Sequence, residues 1–154
     1  MSYLIGIADT TFARYNMASD VIQVFNEYHP QIRYIRYTVP GIKDLPVASL
    51  ILFKKYECDL VIALGMPGSA DYDKVCAHEA STGIINVQLK VAKHIIEVFV
   101  FETEGKDDED LKERMKDRAI KHAYNAINLL LYPNKLQEKA GMGLRQGYQN
   151  AKPL

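Results

Sequence analysis

The sequence predicts an α/β domain, a three-layer αβα sandwich around a four-stranded parallel sheet. Strand and helix signals alternate along the chain, the pattern that places helices on both faces of one sheet. Residues 59–64, Asp-Leu-Val-Ile-Ala-Leu, include a continuous apolar run, as in a parallel strand covered on both sides. Right-handed crossovers between such strands give a flavodoxin-like arrangement, whose ligands bind beyond the carboxyl ends of the strands.

Each element has its own warrant. Residues 3–8 are a short apolar run that closes on Asp9-Thr10-Thr11. Met17, Val21, Val24, Phe25 and Tyr28 recur near helical spacing, and His29-Pro30 stops that helix. Residues 32–39 are rich in β-branched and tyrosine side chains with Arg33 and Arg36 between them, a strand at a sheet edge. Pro46 suits a first helical turn, where its missing N–H goes unused, and that helix runs to about Glu57. After the third strand, Gly65-Met66-Pro67-Gly68-Ser69 is a loop. Cys76, Ala80, Ile84, Val87 and Val91 then mark a helix over 72–91, and residues 95–101 form the fourth strand.

Gly105 to Asp108 turns the chain into its longest helix, with Leu111, Met115, Ala119, Ala123, Ile127 and Leu130 as one apolar stripe. Tyr132-Pro133 ends it. Residues 1–133 therefore form the α/β domain, and 134–154 a C-terminal tail expected to contact a neighbouring subunit. The tail opens with a short helix and continues as Gly141-Met142-Gly143-Leu144-Arg145-Gln146-Gly147, too rich in glycine for another.

Bulk composition narrows the function classes. Basic and acidic residues balance at 19 each, so the charge offers no reason to expect a nucleic acid or an anionic membrane as partner. The N-terminus has no signal-peptide pattern and no apolar run is long enough for a bilayer, so a cytoplasmic location is expected. Cys58 and Cys76 lie in apolar contexts without a metal or CxxC spacing, and are expected as buried reduced thiols. Of the histidines, His29, His78 and His94 are expected at the surface.

The strand ends carry the candidate site. Asp9, Thr10, Thr11 and Phe12 follow strand one; a phenylalanine in a polar loop can stack on a planar ligand. Val39-Pro40-Gly41-Ile42-Lys43-Asp44-Leu45-Pro46 follows strand two, either a rigid connector or a ligand edge at which Gly41 admits a close approach and Asp44 binds hydroxyls. Gly68-Ser69 precede a helix start, where backbone N–H groups favour anions, but neither GxxxxGK[ST] nor GxGxxG is present. Glu97 interrupts an apolar strand, so it faces either solvent at an edge or a site or subunit interface. Arg114, Arg118 and His122 share one face of the long helix, solvated or aimed at a site.

Several of these segments resemble lumazine synthases in order and spacing. Ile5-Gly6-Ile7 with Phe12 is similar to that family's first strand and the aromatic residue that stacks on the pyrimidine ring. Val39-Pro40-Gly41…Leu45-Pro46 resembles its second-strand motif, with Asp44 where the family has glutamate. Tyr72-Asp73-Lys74-Val75-Cys76…Glu79-Ala80…Gly83-Ile84 resembles its most specific helix, and the match spans about residues 3–130. Two family features are altered. Asp71 stands where lumazine synthases carry a histidine, and Met66-Pro67-Gly68-Ser69-Ala70 replaces their phosphate-binding loop.

With its Gly-Leu-Arg-Gln-Gly tail, the pattern resembles the archaeal riboflavin synthases, which share the lumazine synthase fold. That resemblance implies a transferase that dismutates two molecules of 6,7-dimethyl-8-ribityllumazine into riboflavin and 5-amino-6-ribitylaminouracil. Neither substrate carries phosphate. It implies that Phe12 stacks, Asp44 holds the ribityl hydroxyls, and Asp9, Asp71, Glu97 or His122 handles the proton of the 7-methyl group. Thr10, Thr11, Gly41, Ile42, Lys43, Gly68, Ser69, Arg114 and Arg118 complete the expected binding set. It further implies a homopentamer with sites between subunits, no organic cofactor, and a magnesium requirement seen in some relatives for which no ligand motif is visible. A lumazine synthase with altered phosphate contacts, or a non-enzymatic flavin- or lumazine-binding module, are the alternatives.

Overall fold

A computed structural model describes residues 2–29 and 31–154. Strands β1 (Tyr3–Thr10), β2 (Ile32–Val39), β3 (Leu60–Gly65) and β4 (Ile95–Phe99) form one parallel sheet in the order β2-β1-β3-β4. Helices α1 (Met17–Tyr28) and α4 (Asp108–Leu131) pack on one face; α2 (Leu45–Lys54) and α3 (Asp71–Val91) pack on the other. A short α5 (Pro133–Glu138) follows α4. This is the predicted three-layer sandwich, with β2 at one edge and β4 at the other.

Strand alternation assigns each residue to a layer. Ile5, Ile7, Ile62, Leu64 and Val98 face α1 and α4, whereas Ala8, Val61, Ala63 and Ile95 face α2 and α3. Gly6 belongs to the second set. A Cβ there would lie 2.9 Å from Leu52 Cδ1 and 3.1 Å from Cys58 Sγ, so α2 sits on β1 only because position 6 is glycine. The entry to α4 is built from acids: Asp107 accepts the Asp110 N–H at 2.8 Å, and Asp108, Glu109 and Asp110 fill the first turn.

The elements depart from expectation mainly at their ends. β1 continues to Thr10, because Asp9 and Thr10 still pair with Thr38 and Val39 of β2. The second helix stops at Lys54 rather than Glu57, which adopts φ 57° in the left-handed region. β4 ends at Phe99; the Phe101 N–H turns away to Glu104 Oε2 at 2.7 Å. α1 ends at Tyr28 with His29 as its cap, while Pro30 of the predicted stop lies outside the described residues. Pro133 ends α4 and also opens α5. Cys58 is fully buried, and burial raises its thiol to about 11. Cys76, expected to be buried, is only partly so, because its side of α3 borders a cleft. His78 and His94 are exposed as expected; His29 is half-buried.

Candidate active site

The carboxyl ends of the strands open into two clefts, one on each flank of α3. The first encloses about 220 Å³ and is walled by Phe12, the 41–44 turn, Met66-Pro67-Gly68, and Asp73 and Cys76 of α3. The second encloses about 390 Å³. Lys74, Ala77, His78 and Ser81 of α3 face Glu97 and Phe99 of β4, Phe101, and Arg118 and His122 of α4, with Gln146 of the tail.

In the first cleft, hydrogen bonds tie the loop after β1 to the loop after β2. The Thr11 N–H donates to the Val39 carbonyl at 2.9 Å and the Thr11 hydroxyl to the Pro40 carbonyl at 3.3 Å. Buried Thr10 accepts the Ala13 N–H at 3.2 Å. The crossing leaves Phe12 with its ring 55% exposed over the cleft. Asp44 folds back so that Oδ2 accepts the Gly41 N–H at 3.1 Å, which fixes the turn; Oδ1 has no partner among the described residues. Gly41 itself is not forced by the chain, since a Cβ would meet nothing nearer than Asp44 Oδ2 at 3.7 Å.

The start of α3 carries a carboxylate cap. Asp73 accepts the Ala70 N–H at 3.1 Å and presses on Gly68, where a Cβ would fall 2.4 Å from its Oδ2. One backbone donor at that terminus thus serves a carboxylate of the same chain. Lys43 pairs with Glu79 at 3.3 Å.

The second cleft is polar, and burial disfavours charge on two of its inner groups, Glu97 and His122. Glu97 is half-buried on the α3 side of β4 and accepts the Ser81 hydroxyl. Burial raises its pKa, and the Ser81 hydrogen bond only partly opposes this. His122 is lowered to about 4, by burial first and by the Arg118 charge second. Its Nδ1 lies 3.3 Å from the Asn125 amide nitrogen; with that amide as donor, the ring proton sits on Nε2. Arg118 is 7% exposed and donates to the Phe99 carbonyl at 3.1 Å and to both oxygens of Glu104 at 3.1 and 2.6 Å. Burial alone would raise Glu104, but the Arg118 hydrogen bonds and charge, with the Phe101 N–H, hold it below its ordinary value.

Residues 3–134 match the sequence pattern of the 6,7-dimethyl-8-ribityllumazine synthase family. The chain belongs to that family. It is 53% identical over 150 residues to a protein of Methanothermobacter thermautotrophicus named riboflavin synthase, covering 97% of this chain and 98% of the relative. A protein of the same name from Archaeoglobus fulgidus is 43% identical over 150 residues, 97% of each chain. By contrast, a Methanobrevibacter smithii protein named 6,7-dimethyl-8-ribityllumazine synthase is 38% identical over only 60 residues, 38% of this chain and 44% of the relative.

Among the residues expected from resemblance to this family, Phe12, Gly41, Ile42, Lys43, Asp44 and Gly68 converge on the first cleft, and Glu97, Arg118 and His122 on the second. Asp9 is drawn elsewhere. It is buried on the α1 side of β1 in an ion pair with Arg36, and the Thr38 hydroxyl donates to it at 2.6 Å. Asp71 points to solvent with Lys74 3.8 Å away, and Ser69 is exposed outside both clefts. Thr10 and Thr11 shape the loop rather than line it. Arg114 pairs with Asp110 at 3.0 Å and borders a neighbouring groove with Tyr148. The 114/118/122 face is therefore not simply solvated: its middle member is buried.

Ser81, Asp73 and Gln146 were not singled out by sequence reasoning. Asp73 appeared only as part of the helix motif, and Gln146 only within the Gly-Leu-Arg-Gln-Gly segment, with no role assigned to either. Among the described residues, no three histidine, cysteine, aspartate or glutamate side chains converge on a point suited to a divalent cation. No helix among the described residues is long and apolar enough to cross a membrane.

Proposed function

We propose that this chain is a riboflavin synthase, converting two 6,7-dimethyl-8-ribityllumazines into riboflavin and 5-amino-6-ribitylaminouracil. The observation that carries the reading is charge cancellation around both clefts. Lys43, Lys74 and Arg118 each face a carboxylate of the same chain within 4.0 Å. Such walls suit substrates without phosphate. A lumazine synthase, which takes a phosphorylated four-carbon ketone, would need a free cation. The full-length similarity to relatives named riboflavin synthase supports the same choice.

The residues divide the work. The Phe12 ring offers a face for the heterocycle, and the free Oδ1 of Asp44 accepts from the ribityl hydroxyls. Glu97, its pKa raised by burial, is the base that takes a proton from the 7-methyl group of one lumazine. That methyl is acidified by the conjugated ring, so a carboxylate suffices. Neutral His122 donates from Nε2 toward the charge that then develops on the ring. The resulting carbon nucleophile attacks the second lumazine, and the two molecules supply every atom of both products. Holding two heterocycles in register is mainly a matter of proximity.

The two clefts lie on opposite flanks of one helix, and α3 exposes Tyr72, Val75, Ile85 and Leu89 at 73%, 55%, 53% and 77%. Such an apolar stripe marks an association surface. In the ring of five subunits that the family resemblance implies, the Phe12 cleft of one copy meets the Glu97 cleft of the next, and the exposed Leu144 and Tyr148 of the tail face a neighbour. The deciding experiment supplies dimethylribityllumazine alone. Riboflavin formed at two lumazines consumed per product supports the dismutation. Riboflavin that appears only after another riboflavin synthase is added, with uracil and phosphorylated butanone as starting compounds, returns the lumazine synthase reading. Binding that saturates at one lumazine per site refutes the mechanism.

A further inference from the structure

The tail does not trail from α5; it is folded back onto α4 by glycines. Gly147 has φ +82°, and a Cβ there would lie 2.4 Å from Arg118 Nη2 and 2.7 Å from Nε. The backbone of residue 147 therefore rests flat on the guanidinium. That seat cannot retreat, because Arg118 is held by the Phe99 carbonyl and by Glu104. Its Nε is buried without an acceptor among the described residues. A second closure lies just outside. The Ala151 N–H donates to the Gly143 carbonyl at 2.8 Å, the Arg145 N–H donates to Asn150 Oδ1 at 2.8 Å, and Gly143 has φ +67° with room for no Cβ beside the Ala151 carbonyl. Residues 143–151 thus form a closed loop pinned at one point.

What the pin delivers is Gln146. It is half-buried and lines the 390 Å³ cleft together with Glu97 and His122, at the border with a groove beside Lys121 and Asn125, and no hydrogen bond within the described residues engages its amide. The apolar side chains of the loop, Leu144 and Tyr148, are 47% and 72% exposed, so no core of its own fixes it. Ordering such a loop costs roughly 1–2 kcal/mol per residue in backbone entropy. Two glycine-only contacts and a glutamine at the wall of the Glu97 cleft indicate a function rather than a loose end.

Resting on the reaction assigned above, we infer that residues 143–151 are a substrate-sensing strap. Gly147 seats it on Arg118, and it presents the Gln146 amide to the imide-like edge of the heterocycle. A side-chain amide carries a donor and an acceptor in one plane, which matches an edge of alternating C=O and N–H; no carboxylate or ammonium offers both.

The test uses the full chain and dimethylribityllumazine, with binding read by fluorescence titration and turnover by riboflavin formation. Gln146→Ala should raise Kd and KM about tenfold, the loss of a hydrogen-bonded amide, with kcat changed less than about threefold. Gln146→Glu should weaken binding at least as much, because the carboxylate cannot donate. Gly147→Ala should reproduce the KM effect and speed tryptic cleavage after Arg145, with unchanged far-UV circular dichroism. In the unsubstituted protein, lumazine should slow that cleavage. Unchanged Kd in Gln146→Ala, or cleavage after Arg145 indifferent to lumazine, overturns the strap even if turnover is normal. If the unsubstituted chain binds lumazine without forming riboflavin, the assigned reaction fails, and the Kd and cleavage comparisons still decide the strap.

Discussion

Replacing His122 by glutamine removes the ring in the Glu97 cleft whose protonation the fold resists. Burial first, and the Arg118 charge second, lower its pKa from 6.5 to about 4. An unfolded chain takes up this proton near its ordinary pKa and the folded chain only near the lower one. The contribution is therefore fully present above pH 6.5 and is lost as pH falls through about 4. At about 1.4 kcal/mol per pH unit the full shift corresponds to about 3.5 kcal/mol, and solvent reaching the partly exposed ring reduces this to roughly 2. Glu97 acts in the opposite sense: its raised pKa contributes stability at low pH that is lost as pH rises above its ordinary 4.5. An acid series on the unsubstituted protein mixes the two, and the difference from His122→Gln isolates the imidazole. In urea unfolding at fixed protein concentration, with a slope of about 2 kcal/mol per molar, the unsubstituted midpoint should fall about 1 M further than the variant's between neutral pH and pH about 4. Parallel loss in the two proteins would refute a neutral, buried His122.

Other substitutions separate the two clefts. Asp44→Ala should cost about 1 kcal/mol of stability through the lost Gly41 cap and raise the lumazine KM at least tenfold, whereas Asp44→Asn should keep the cap and lose less affinity; thermal melts and steady-state kinetics check both. Phe12→Ala should leave the melting temperature within error, because the ring is exposed, and weaken binding five- to tenfold, about the value of one aromatic stack, in a fluorescence titration. Glu97→Gln should lower kcat about 100-fold or more with KM little changed, and abolish the fall in turnover as pH drops through the raised pKa of the carboxyl; full kcat in this variant would move the base elsewhere. At lumazine well below KM, where both variants are impaired, mixing Phe12→Ala with Glu97→Gln chains by joint refolding should give about one quarter of the sites full kcat/KM, above the average of the two parents, if each site joins two copies in a ring. Activity equal to that average would place both residues of one site in the same chain.

The fold was legible because it is written in periodicity. The apolar run before Leu64 reads as a doubly covered strand, and the stripe from Leu111 to Ile127 is buried along its length. The Phe12 cleft was legible for a similar reason: its residues sit in two short loops whose proline and glycine spacing is local. The Glu97 cleft was only half visible. Glu97 stood out as a charge in an apolar strand, but the direction it faces depends on β4 pairing with β3, which puts Ala63 and Glu97 on the α3 side. Nothing in the sequence couples Ser81 to Glu97, Glu104 to Arg118, or Gly147 to Arg118, because each pair is joined by tertiary packing across 14 residues or more. Asp9 shows the reverse error. It reads as a free carboxylate at a strand end, yet β1 runs one residue past it, and pairing with β2 brings Arg36 and Thr38 onto the same face.

Charge cancellation around the clefts has two physical causes that pull in one direction. If the clefts of neighbouring copies close on each other, any unpaired cation there would lose its water on assembly, which is costly without a partner. Arg118 obeys that requirement most strictly, 7% exposed with Glu104 against it. The Lys43–Glu79 pair does not need it, since both side chains are 52% exposed and an unpaired lysine would remain solvated there. Its pairing at the mouth of the Phe12 cleft instead lowers the attraction for a phosphorylated ligand where one would first arrive. Burial alone accounts for the pairing of Arg118, and helix capping accounts for Asp73. In the proposed reaction it is therefore the peripheral Lys43 pair that bears on substrate choice, while the buried Arg118 pair is the surface on which Gly147 rests.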